Sequence, residues 1–127
     1  QREFAMGTLV NLAYDDVVAD SLARSGGVGP IMALAHEGTA GQKVRAAACL
    51  RNLASSEEIA IMMGSLGVEP LVALVQSGSA AAKEQAAGAL GNLGLVQSNR
   101  SAIVTAGGYQ ALSQLVINGT AGEGEGG

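Results

Sequence analysis

The sequence predicts an all-α fold in which short helices stack as repeats along a solenoid. The first observation is a period of about 40 residues, typical of helical solenoids when strand signals are missing. Gly27–Ala54 aligns with Gly67–Gly94 without a gap, and 13 of 28 positions are identical. The second observation is composition: 48% of the residues are hydrophobic, but they include one Phe, two Tyr and no Trp. Such small apolar residues suit thin, closely packed helices.

Three types of helix recur in a fixed order. The first is short and ends at glycine, which closes a helix in the left-handed conformation without a Cβ penalty; it is predicted at 15–25, 56–66 and 98–106. The second follows directly, at 28–36, 68–76 and 109–118, with Pro30 and Pro70 in the first turn. The third is the longest, at 42–54 and 82–95, with an earlier copy at 2–13. Ser55 and Glu58 are predicted to form a capping box for the middle short helix.

The repeated unit is similar to a known family. Its helix order, its Gly-Val-x-Pro pattern at 27–30 and 67–70 and its Ala-Ala-x-x-Leu-x-Asn-Leu pattern at 46–53 and 86–93 resemble the armadillo repeat. HEAT repeats, usually two-helix units, are the closest alternative. The resemblance implies a right-handed α-solenoid (superhelix) of armadillo repeats.

The resemblance also divides the chain. Residues 1–118 form the predicted repeat domain, with complete repeats at 14–54 and 55–94 and partial ones at 1–13 and 95–118. The Gly/Glu-rich segment 119–127 is predicted to be a flexible tail, because it has few side chains to pack. Solenoid ends normally carry polar caps, and neither end here has such a pattern. We therefore expect a segment of a longer protein, or ends shielded by a partner in a larger assembly.

The third helices carry the predicted binding residues. In armadillo proteins these helices line the concave groove, where an asparagine on each binds the main chain of an extended peptide. Asn11, Asn52 and Asn92 match that position, and an asparagine side chain offers both a donor and an acceptor. Side chains flanking them on the same face complete the predicted partner-binding set: Phe4, Tyr14, Arg45, Arg51 and Gln85. Phe4 and Tyr14 could form an aromatic anchor with Asn11. Arg45 and Arg51 could bind a carboxylate.

Two alternatives stay open for this face. The asparagines equally fit a structural role, bonding neighbouring helix ends. In nuclear import adaptors a tryptophan precedes each asparagine by four residues and holds a lysine stem; here those positions are Gly7, Ala48 and Gly88. The resemblance therefore favours a non-catalytic scaffold that binds a protein or peptide over a transport adaptor. A substrate-recognition segment of an armadillo-bearing ubiquitin ligase is the other alternative.

Composition disfavours other classes of function. The formal net charge is −4 and no basic patch occurs, which argues against a nucleic-acid partner. One cysteine and one histidine cannot build a zinc site, and no catalytic dyad or cofactor loop is present, so we predict no cofactor and no enzyme within these residues. A lone Cys49 fits an intracellular, cytoplasmic setting. No apolar run reaches the ~20 residues of a membrane span, and sequon triplets at Asn99 and Asn118 are taken as chance matches.

Overall fold

Helices account for the regular structure of the described residues. The computed structural model describes the backbone of residues 16–126 and the side chains of residues 19–118. Within that part of the chain there are eight helices and no strand, in the order α1 (Asp16–Arg24), α2 (Val28–Glu37), α3 (Ala40–Leu53), α4 (Glu57–Leu66), α5 (Glu69–Ser77), α6 (Ala80–Gly94), α7 (Gln97–Thr105) and α8 (Gly108–Gly126).

The helices repeat as α1–α2–α3, α4–α5–α6 and α7–α8. Each second helix packs on the third helix of its own unit, α2 on α3 and α5 on α6. Corresponding helices of successive units also pack together: α3 on α6, α2 on α5, α5 on α8 and α4 on α7. The all-α solenoid predicted from the repeat period is therefore confirmed, and α3 and α6 lie side by side.

Glycines with positive φ end the three short helices, as predicted. Gly26, Gly67 and Gly107 have φ of 82°, 110° and 82°. A side chain at these positions would be strained, because L-residues seldom adopt this region. These glycines turn the chain from α1, α4 and α7 into the second helix of each unit.

The helix caps differ from the sequence prediction. The capping box lies at the start of α3. There the main-chain N–H of Gln42 donates to Thr39 Oγ1 at 3.2 Å, and the main-chain N–H of Thr39 donates to Gln42 Oε1 at 2.9 Å. The box predicted at Ser55 and Glu58 is wrong, because α4 begins after Ser56 and the Ser55 hydroxyl instead donates to the Asn52 carbonyl at 2.7 Å. Ser55 thus bonds to the end of α3, so it is turned away from α4.

The core is the apolar stripe of each third helix together with the helices around it. Leu50, Leu53, Leu90 and Leu93 are almost fully buried, as their spacing predicted. Ala46, Ala47 and Ala86 on the same stripe are buried too, whereas Ala87 is partly buried. Small side chains on this stripe let α3 and α6 approach closely. No buried side-chain nitrogen or oxygen between residues 19 and 118 lacks a hydrogen-bond partner.

The last helix is longer than expected. The sequence predicted an end at Asn118, but α8 continues to Gly126. No proline follows Asn118, so nothing in the sequence sterically stops the helix there. The flexibility of the tail at 119–127 stays a prediction.

Candidate functional site

The structure describes five of the eight predicted partner-binding residues. Phe4, Asn11 and Tyr14 lie outside the described residues. The other five lie on neighbouring third helices, namely Arg45, Arg51 and Asn52 on α3 and Gln85 and Asn92 on α6. All five are partly or fully exposed. We refer to the surface that these five residues form with Ala48, Gly88 and Gly91 as the α3/α6 face.

Asn92 connects two repeats. Its Nδ2 donates to the main-chain carbonyl of Arg51 at 2.9 Å, across the α3–α6 contact. One of the two amide N–H groups of Asn92 is therefore used inside the chain, which agrees with the structural alternative. The other N–H group and Oδ1 have no bond to another described residue, so the side chain keeps a donor and an acceptor for a ligand. Asn52 also has an interaction partner.

The side chain of Arg51 crosses from α3 to α6. A Cβ atom placed on Gly88 would lie 2.6 Å from Arg51 Cδ and 2.7 Å from Cζ, so the arginine occupies the space that a side chain at 88 would need. Its Nη1 lies 3.5 Å from Gln85 Oε1, at the long limit for a hydrogen bond. Glycine at 88 is thus required for this placement of Arg51.

Other positions on the face remain open. A Cβ atom on Gly91 would have no neighbour within 4 Å, and Gly91 is exposed. Arg45 is exposed as well, and its Nη1 makes a weak contact of 3.4 Å with the Gly41 carbonyl on its own helix. Small residues between polar side chains make the α3/α6 face shallow, so a ligand main chain can approach it closely.

Beyond the C-terminal ends of α3 and α6 the face leads into a surface depression. Its lining combines Asn92 with Leu95, which is 77% exposed, and with the start of the next short helix. The complete lining is Ala54, Ser55, Glu57, Asn92, Leu95, Val96 and Gln97. An exposed leucine beside polar groups suits an apolar side chain of a bound segment.

Few charges on the face are neutralised within the chain. In the described residues the one ion pair within 4 Å joins Arg24 and Asp20, at 3.0 Å on α1. Arg45 and Arg51 therefore have no described carboxylate at that distance. Glu84, one turn before Gly88 on α6, is exposed and likewise has no ion-pair partner among the described residues.

Asn99 is the polar residue that sequence analysis failed to identify. It is 3% exposed, and its Nδ2 donates to the carbonyls of Ala60 and Leu93, each at 3.0 Å. The side chain thereby ties α7 to α4 and α6. Gly64 makes room for it, since a Cβ there would lie 2.7 Å from Asn99 Cγ. A glycine inside α4 was the available signal, and the bonded amide is not free to accept a glycan.

Chemistry-bearing groups are sparse in the described part of the chain. Among the side chains of residues 19–118 there is no group of three His, Cys, Asp or Glu residues that could hold a metal ion. Burial raises the pKa of the Cys49 thiol to about 11, which keeps it protonated at neutral pH. None of the described helices is by itself long and apolar enough to cross a membrane; α4 and α5 reach that length and hydropathy together, with an 84° bend between them.

Comparison with protein families identifies one repeat. Residues 56–94, which contain α4, α5 and α6, match the model of the Armadillo/beta-catenin-like repeat. No curated protein and no solved structure matches the chain. The matched segment is the complete unit that carries Gln85, Gly88 and Asn92.

Proposed function

The chain is an armadillo-repeat protein, and from that premise we propose that it is a non-catalytic scaffold that binds a protein or peptide partner through the α3/α6 face. Armadillo repeats typically serve protein interaction, and the fold by itself assigns no partner. The proposal includes an intracellular, cytoplasmic setting and membership of a larger assembly.

The observation that carries the proposal is the combination of polar groups and small residues on the α3/α6 face. Asn92 retains an acceptor and a donor beside Gly88 and Gly91. A main chain lying on glycine can come close enough to bond with the asparagine.

The arrangement also bears on the alternatives. A transport adaptor for basic signals would need an aromatic pocket near Gly88, whereas Arg51 occupies that place and its positive charge would repel the ammonium group of a lysine. A substrate-recognition segment of a ubiquitin ligase would use the same face, so it is a special case of the scaffold, distinguished by a catalytic module elsewhere in the parent protein.

A blocking variant tests the proposal. Peptides selected from a random 12-residue phage library on the folded chain would be labelled, and their dissociation constants measured by fluorescence anisotropy. Gly91→Trp places a large ring on the α3/α6 face where there is open space, and the matched control Ser101→Trp places one on the exposed side of α7. We expect Gly91→Trp to weaken binding at least about ten-fold, an affinity loss of ~1.4 kcal/mol, and the control to leave it within two-fold, a tolerance of ~0.4 kcal/mol.

Two results would count against the proposal. The first is equal binding by both tryptophan variants, which would move the site away from the face. The second is a selection in which the library yields no peptide that binds the wild-type chain. Circular dichroism of each variant would show that helicity is retained, so that loss of binding is not loss of folding.

A further inference from the structure

Arg51 is held at a defined position on the α3/α6 face although it is exposed. Its stem leaves α3 and lies over the backbone of Gly88 on α6, and Gln85 stands beside the guanidinium. A long side chain free in solvent would lose rotamer entropy on binding a ligand. Here the contact with Gly88 has already removed part of that freedom.

The guanidinium has donors to spare. An arginine offers five N–H groups in a planar fork, and the single hydrogen bond of this one within the described residues is the 3.5 Å contact with Gln85. No described carboxylate lies within 4 Å of it. A pre-positioned fork without an anionic partner is the arrangement that binds a carboxylate through two parallel bonds.

The surrounding charges favour the same ligand. Arg45 lies on the same helix and has no ion-pair partner among the described residues, and Glu84 is the acidic side chain closest along α6 to Gly88. Among the residues that define the α3/α6 face, the charged ones are Arg45 and Arg51, whereas the whole chain carries −4 and Glu57 lines the adjoining depression. Gln85, which aligns with Arg45 in the repeat, is neutral.

We propose that Arg51, seated on Gly88, is the receptor for a carboxylate, so that the segment bound by the α3/α6 face is an acidic peptide. This inference rests on the function proposed above and names the chemistry of the partner. A peptide suits the site better than a small anion, because Asn92 presents an acceptor for main-chain N–H groups next to the arginine. Arg45 supplies a second positive charge for a further acidic side chain.

Two helical glycines provide a matched test. Gly88→Ala forces Arg51 to move without changing any charge, whereas Gly29→Ala, on α2 and outside the α3/α6 face, adds the same methyl group where nothing lies within 4 Å. The probes are labelled hexaglutamate and hexaglutamine peptides with blocked ends, followed by fluorescence anisotropy and by the Nε–Hε signal of Arg51 in NMR spectra. Arg51→Gln and Arg51→Lys complete the series.

We expect hexaglutamate to bind more tightly than hexaglutamine, with an affinity that falls as salt rises. Gly88→Ala and Arg51→Gln should each weaken it about five-fold, the upper range for an exposed ion pair. Arg51→Lys keeps the charge and loses the fork, so its affinity should fall between those of wild type and Arg51→Gln. Gly29→Ala should match wild type within two-fold, a tolerance of ~0.4 kcal/mol.

Equal affinities of Gly88→Ala and Gly29→Ala would overturn the proposal, as would equal binding of the two probes. The outcome is separable from that of the proposed function. If Gly91→Trp weakens the binding of the library peptides and Arg51→Gln leaves it unchanged, the face binds peptides and the carboxylate inference fails. If Gly91→Trp has no effect on library peptides, the proposed function itself fails.

Discussion

Asn99 and Gly64 form a contact whose energetic coupling can be measured. The amide of Asn99 is buried and donates to two main-chain carbonyls on α4 and α6. Each such bond is worth about 1 kcal/mol net, so Asn99→Ala should destabilise the fold by roughly 2–3 kcal/mol once lost packing is included. Asn118→Ala, an exposed asparagine on α8, is the control and should change stability by less than about 0.5 kcal/mol.

Gly64→Ala acts on the same contact from the other side. The added methyl group would overlap the Asn99 amide, and overpacking of this kind costs about 1–3 kcal/mol. Replacing glycine by alanine in a helix returns roughly 0.5–1 kcal/mol. The net loss should therefore lie between about 0 and about 2.5 kcal/mol. Gly91→Ala, where the methyl group meets nothing, should show only the gain.

The double variant decides the matter. Once Asn99 is alanine, the obstacle to a methyl group at 64 has gone, so Gly64→Ala should then be neutral or stabilising by up to about 1 kcal/mol. The coupling energy of the cycle should be roughly 1–3 kcal/mol. Urea unfolding followed by far-UV circular dichroism measures all four proteins. Additive effects within about 0.5 kcal/mol would refute the packing argument.

Three further predictions follow from burial and capping. Burial raises the pKa of Cys49 from 9.0 to about 11, so the contribution of its protonated thiol to stability is complete below about pH 9 and is lost as pH rises through about 11. In urea unfolding across this range, the free energy of unfolding should fall more steeply with pH for wild type than for Cys49→Ala. Parallel curves for the two proteins would contradict the burial. Thr39→Ala should lower the free energy of unfolding by about 1 kcal/mol in urea unfolding, because it removes the capping box. Ser55 caps no helix N-terminus, so Ser55→Ala should lower it by only a few tenths of a kcal/mol. Equal losses in the two variants would be evidence against this assignment. Leu90→Ala should lower the free energy of unfolding by roughly 2–5 kcal/mol, because it leaves a cavity in the core. Leu95→Ala, at a largely exposed residue, should be nearly neutral. Thermal unfolding distinguishes the two variants, and similar shifts in melting temperature would be inconsistent with the burial.

Several features of the fold were open to prediction because they depend on neighbours in sequence. The helix order follows from the 40-residue period, and the ends of the short helices follow from Gly26, Gly67 and Gly107, since few other residues tolerate positive φ. The buried leucines follow from spacings of three and four on one stripe. The cap at Ser55 was mispredicted because two adjacent serines precede α4 and the sequence does not show which of them is the N-cap. In the structure Ser56 is the N-cap, and the Ser55 hydroxyl donates to a carbonyl of the preceding helix.

Contacts between distant residues were decided by tertiary structure alone. The sequence by itself determined the all-α repeat, its core stripe and the alignment of Asn52 with Asn92. It could not show that Asn92 bonds Arg51, that Arg51 lies over Gly88, or that Asn99 joins α7 to α4. Each of these contacts spans roughly one repeat, so it depends on how α3, α6 and their neighbours pack. A periodic pattern fixes which side of a helix is apolar, whereas the distance between two helices, set by packing, decides which polar side chains meet across them.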